Sequence, residues 1–106
     1  MAKYASVFVL LAGCAASSQN GLLQLPAQES IPSVKTAHEF ANCAAGRLSG
    51  SNPMANDGEH YWFVRIGAGD LPYARWDFYP RPGGSYAEVR SHQIGGSGKD
   101  KVKGCA

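Results

Sequence analysis

The spacing of apolar positions changes from a helical to a strand period partway along this chain. Between Ser33 and Leu48, the residues Val34, Ala37, Phe40, Ala41, Ala44, Ala45 and Leu48 fall on one side of a 3.6-residue wheel. That spacing predicts an amphipathic helix over 33–48. Two starts compete: Ser33 as an N-cap, or Thr36 with Glu39 three residues later as a capping box. Gly50 suits the stop, and the alanine-rich side permits close approach to a sheet. Residues 51–58, rich in Ser, Asn, Pro and Gly, read as a loop.

Beyond that loop the period becomes two. Residues 59–66 set His60, Trp62, Val64 and Ile66 against Tyr61, Phe63 and Arg65. Residues 73–79 set Ala74, Trp76 and Phe78 against Tyr73, Arg75, Asp77 and Tyr79. Residues 85–93 place Ala87 and Val89 inward and Tyr86, Glu88, Arg90 and His92 outward. Bounded by glycine- and proline-containing turns, these runs predict an antiparallel meander with one covered face and Trp62, Trp76 and Phe78 in the core. Lys99 to Lys103 adds a candidate edge strand kept soluble by its lysines. The expected fold class is α+β, with one N-terminal helix packed on a three- to four-stranded antiparallel sheet.

Composition narrows the classes further. A chain of 106 residues that is 44% hydrophobic is long enough for one domain and too apolar for a disordered segment. A formal charge of +2 argues against a nucleic-acid partner.

The first residues differ from the rest. Met1-Ala2-Lys3 gives a short basic start, and Tyr4 through Ala12 carry no charge. The run is too short for a bilayer span, which needs roughly 20 residues. It suits the apolar region of a secretory signal. It ends in Leu11-Ala12-Gly13-Cys14, which resembles the lipobox of bacterial lipoproteins. The resemblance covers the first 14 residues and implies a diacylglycerol on the Cys14 sulfur, cleavage after Gly13 and acylation, such as palmitate, of the new amino terminus. Multiple acyl chains meet the requirement for stable anchoring, which a single chain does not. With Ala15 and Ala16 following, it also implies sorting to the periplasmic face of the outer membrane. Residues 1–13 are then a signal peptide, 14–29 a lipidated cysteine and tether, and 30–106 the folded domain. Leu22, Leu23 and Leu25 stand out from the tether's polarity and suit docking on the domain or on the membrane surface.

With Cys14 lipidated, Cys43 and Cys105 remain, and in an oxidising compartment they most simply form a disulfide. An intermolecular bridge and a metal site are the alternatives. The absence of a Cys-x-x-Cys or a matching His pattern argues against zinc.

Eight of the eleven aromatic residues lie between Tyr61 and Tyr86, interleaved with arginines. Tyr61, Phe63, Arg65, Tyr73, Arg75, Tyr79, Tyr86 and Arg90 therefore form a candidate binding face, since rings and guanidinium groups stack on partner side chains or sugars. The competing reading is that cross-strand pairs, Glu88 with Arg75 or Arg65 among them, simply stabilise an exposed sheet. Catalytic signals are poor: there is no Gly-x-Ser-x-Gly elbow and no His-Glu-x-x-His helix. Gly95 to Lys99 lacks the first glycine and the Ser/Thr of a phosphate loop, so it reads as a linker. His38, His60 and His92 are scattered, and Asp77 and Glu88 have arginine neighbours that make ion pairs the better reading. The expectation is a non-enzymatic chain without metal or cofactor: a lipid-anchored interaction module for an envelope protein. The alternative is a lipoprotein that binds wall glycan or a small ligand.

Overall fold

A computed structural model describes residues 19–48, 54–92 and 98–106. A short helix α1 (Gln19–Leu22) leads to strand β1 (Glu29–Ser33) and the main helix α2 (Ala37–Arg47). Strands β2 (Ala55–Asp57), β3 (His60–Ile66), β4 (Pro72–Arg81) and β5 (Gly84–Ser91) follow, then a last helix α3 (Lys99–Lys103). The product is an α+β fold on a five-stranded antiparallel sheet of order β1-β5-β4-β3-β2.

Of the two competing starts, the capping box determines where α2 begins. Thr36 Oγ1 accepts from Glu39 N at 3.1 Å, and Glu39 Oε1 accepts from Thr36 N at 3.4 Å. Residues 33–36 are thereby left outside the helix, and Val34 is 86% exposed rather than part of the apolar side. Ala37, Phe40, Ala41 and Ala44 are buried against the sheet, as the wheel requires. Gly50, the expected stop, lies outside the described residues.

Strand register builds the core in rows. Ile31, Ala87, Phe78 and Tyr61 lie side by side across β1, β5, β4 and β3, and Val89, Trp76 and Phe63 form the next row. Phe40 meets Phe78 edge-on, with ring centroids 5.1 Å apart, and Phe63 stacks on the same ring at 5.7 Å. The β4–β5 hairpin turns on Pro82 and Gly83, whose φ of 80° is the positive value a type II turn requires at its third position. Gly84 must also lack a side chain, because a Cβ there would run into the Ser33 carbonyl oxygen where β1 crosses.

Three expectations need correction. First, the sheet has five strands, not three or four. β1 falls in the segment divided between tether and helix start, and β2 falls inside the expected loop. Second, Lys99 to Lys103 is helical rather than an edge strand. Its Val102 is fully buried, and Cys105 just beyond it is bonded to Cys43 on α2 with a Cα–Cα distance of 5.8 Å. Bridging to the helix flank places this segment in the helix layer rather than in the sheet. Third, the phase of β3 is the reverse of the expected one. Phe63 is core and Trp62 faces the other side.

The Cys43–Cys105 bridge spans 62 residues. On the chain-entropy account a loop of that length contributes about 4 kcal/mol. The end of the chain is further held by Lys35 Nζ donating to the Cys105 carbonyl at 2.7 Å, and by Glu29 pairing with Lys103 and Lys99 at 2.8 and 3.7 Å. Among the described residues no helix is long and apolar enough to cross a membrane.

Candidate functional site

The face of the sheet turned away from α2 carries the chemistry. Alternation along β4 and β5 points Arg75, Asp77 and Tyr79, and Tyr86, Glu88 and Arg90, to this side. Register sets Arg75 directly opposite Arg90 and Asp77 opposite Glu88. Like charges so placed repel, and the Asp77 carboxylate relieves the arginine pair. It is wholly buried and accepts from Arg75 Nε at 2.9 and 3.1 Å and from Arg75 Nη2 at 2.8 Å. Arg90 Nη1 stands 3.7 Å from its second oxygen, and Glu88 lies 4.0 Å from Arg90 Nη2.

His60 completes this cluster. Its Nε2 lies 2.7 Å from Asp77 Oδ1. An ionised carboxylate only accepts, so Nε2 carries the proton and donates. The imidazole stacks nearly flat on Tyr79, with centroids 4.4 Å apart and planes 9° apart, and leans on Trp62 at 5.0 Å. Tyr79 in turn stacks on Tyr86 at 5.2 Å, and the Arg75 guanidinium lies over the Trp62 ring at 5.0 Å. Four rings thus form a continuous row across three strands, floored by a buried ion pair. Burial, then the Asp77 carboxylate, holds the Tyr79 phenol above its ordinary pKa, so it stays a neutral hydroxyl.

The strap formed by residues 19–28 crosses the other end of this face. Arg90 Nε donates to the Leu25 carbonyl at 3.0 Å, and Gln28 reaches the backbone of Val89 and Ser91. α1 lies against β4, with Leu22 fully buried. Neither Leu22 nor Val64 belongs to the helix-side cluster, although both are buried. Docking on the domain, one of the two roles anticipated for the leucines, holds for Leu22. Leu23 stays 43% exposed.

The structure therefore divides the expected binding face. Tyr79, Tyr86 and Arg90 lie together on the outer side, half-buried, with Arg75 nearly buried beneath. Phe63 and Tyr61 do not join them. Phe63 is 1% exposed in the core, and Tyr61 stacks on His38 of α2 at 4.9 Å. Arg65 lies at the far end near the Tyr73 ring, 5.7 Å away, where a register shift after Arg65 displaces Tyr73. His60 and Trp62, assigned inward from the sequence, are the members that reasoning missed. The Arg75-x-Asp77 pair was the available signal, because an acid buried between arginines requires further donors on the neighbouring strand. Cys14 and the residues around it lie outside the described residues, as do 93–97 of the linker.

Beside the hairpin end is a cleft of about 600 Å³ between α2 and the β4–β5 turn, with Val34, His38, Tyr61 and Arg81 in its wall. Among the described residues no group of three or more His, Cys, Asp or Glu side chains is placed to hold a metal. The chain matches no known family, no curated protein and no solved structure.

Proposed function

We propose that this chain is a small lipoprotein of the bacterial cell envelope. Cys14 anchors it to the periplasmic face of the outer membrane, and its folded domain binds another envelope protein through the outer sheet face. Anchoring rests on the Leu11-Ala12-Gly13-Cys14 motif. The contact is assigned on one observation: the half-buried row Trp62–His60–Tyr79–Tyr86 above the Arg75–Asp77 pair. Aromatic groups on a rigid, charge-neutralised floor have the character of interface anchors, which lose little side-chain freedom on binding.

The same geometry favours a protein over a glycan. Sugars stack on open ring faces, whereas His60 is stacked on Tyr79 and Tyr79 is in ring contact with both His60 and Tyr86. The ring edges and phenol hydroxyls of this row suit hydrogen bonds and edge contacts in a protein interface. Catalysis is disfavoured because the Asp77 carboxylate is already engaged by Arg75 and His60.

Two measurements test the reading. Metabolic labelling with an alkyne fatty acid should mark the wild-type protein and not Cys14→Ser, which should also leave the membrane fraction. Equal membrane partition of both would refute the anchor. A photocrosslinker at position 86 should yield a discrete protein adduct that is lost in Tyr79→Ala, while one at Asn42 on α2 should not. Adducts at Asn42 alone, or sedimentation with cell wall unaffected by Tyr79→Ala, would reject the face.

A further inference from the structure

The described fold begins much closer to Cys14 than a tether ending at residue 29 would allow. Four residues, Ala15 to Ser18, separate Cys14 from α1. Five residue steps span at most about 18 Å. The strap that follows is docked rather than free: Leu22 is buried, and the Leu25 carbonyl and Gln28 are bonded to β5. An acyl chain on Cys14 therefore holds this one end of the sheet near the bilayer. Apolar groups are exposed at that same end. Leu23 is 43% and Leu71 57% exposed, Leu25 is half-buried, and Pro26 is exposed. Leu71 immediately precedes Pro72, which pairs with Ile66 in the last row of β3 and β4, so it lies beyond the sheet end that the strap crosses.

We infer that the strap end, with Leu23, Leu25 and Leu71, is a lipid-facing surface that rests against the headgroups of the bilayer to which Cys14 is attached. This rests on the lipoprotein reading above. It sets the polarity of the whole molecule. β4 has 10 residues and runs roughly 30 Å from Pro72 near the membrane to Arg81 at the hairpin. Tyr79, Tyr86 and the cleft beside Arg81 are thereby presented away from the lipid, where a partner reaches them. Exposed leucines next to an acyl anchor supply the second, weaker attachment that fixes orientation, since buried apolar area adds to the affinity of the chain.

The test uses the mature lipidated protein in nanodiscs of phosphatidylethanolamine and phosphatidylglycerol containing a gadolinium-chelating lipid. Amide signals of residues 23–25 and 69–71 should lose several-fold more intensity than those of 81–86, relative to a lutetium control. In Leu23→Ser/Leu71→Ser, with the lipid mass on Cys14 verified, the loss at 69–71 should fall at least two-fold. Uniform broadening, stronger loss at the hairpin, or no change in the double variant would overturn the lipid-facing surface while leaving the anchor intact. Absence of any lipid mass on Cys14 would instead overturn the anchoring reading, and this inference with it.

Discussion

The two faces of the sheet are organised by opposite means. On the α2 side, rows of Ile31, Ala87 and Phe78, and of Val89, Trp76 and Phe63, lie against alanines, and their stability comes from apolar area and tight fit. On the outer side the buried Asp77 carboxylate is shared by Arg75, Arg90 and His60, Glu88 stands beside Arg90, and aromatic rings stack above them. The first face tolerates conservative exchange and penalises lost volume. The second penalises an unmatched partner more than the loss of a whole pair. A domain this small has room for one oily layer, so its second face is held by geometry and charge.

Breaking the comparison at its strongest point means Trp76→Ala. It removes the largest fully buried side chain and should lower unfolding free energy by about 4 kcal/mol, read from urea midpoints at unchanged slope. On the outer face, Asp77→Asn strands the Arg75 guanidinium beneath Trp62 and should cost about 3 kcal/mol. If the two faces differ as described, the paired change Arg75→Met/Asp77→Leu will cost less than Asp77→Asn alone. A larger loss for the pair would show that the charges themselves hold this face. Removing one ring from the row, Tyr79→Ala, should cost about 1 kcal/mol by thermal melting and leave the helix side unaltered.

The smallest effect lies at the exposed junction of β1 with α3. The hydrogen bond from Lys103 is the main reason the Glu29 carboxyl sits below its ordinary pKa. A depressed carboxylate stabilises the fold above its unfolded value, and that contribution fades as pH falls through the folded one. Lys103 is shifted up by the same bond, so its share persists until strongly alkaline pH. The melting difference between wild type and Glu29→Gln should therefore be small at neutral pH and vanish toward pH 3. A difference that grows in acid would contradict the pairing.

Period and capping made much of the helix side legible. Thr36-x-x-Glu39, the alanine wheel and the inward residues of β4 and β5 all sit where the pattern places them. Cysteine arithmetic, with Cys14 set aside, found the Cys43–Cys105 bridge. The failures have physical causes. β1 carries a single inward apolar side chain and Pro32, which an edge strand tolerates but a pattern search discounts. β2 has three residues, too few to establish a period. β3 bears large side chains on both faces, so hydrophobicity alone does not set its phase. That ambiguity sent Tyr61 and Phe63 to the wrong side and hid His60 and Trp62 from the candidate site. The burial of Leu22 was foreseeable only as one of two options, since docking depends on β4 and on Arg90, both distant in sequence.

The Cys43–Cys105 link also divides the chain into what is enclosed and what is not. β2 through β5 and α3 lie inside the covalent loop, while β1 and the strap precede it. Among the described strands, β1 is therefore the one that lies outside the loop. It is also the described strand nearest in sequence to Cys14, so a pull from the N-terminal side reaches it directly after the docked strap. The lid over Arg90 and the row beside Ala87 would peel away while the rest stayed joined. Amide protons of Glu29, Ser30, Ile31 and Ser33 should then exchange ahead of those in β3 and β4, marking β1 as the molecule's mechanical fuse.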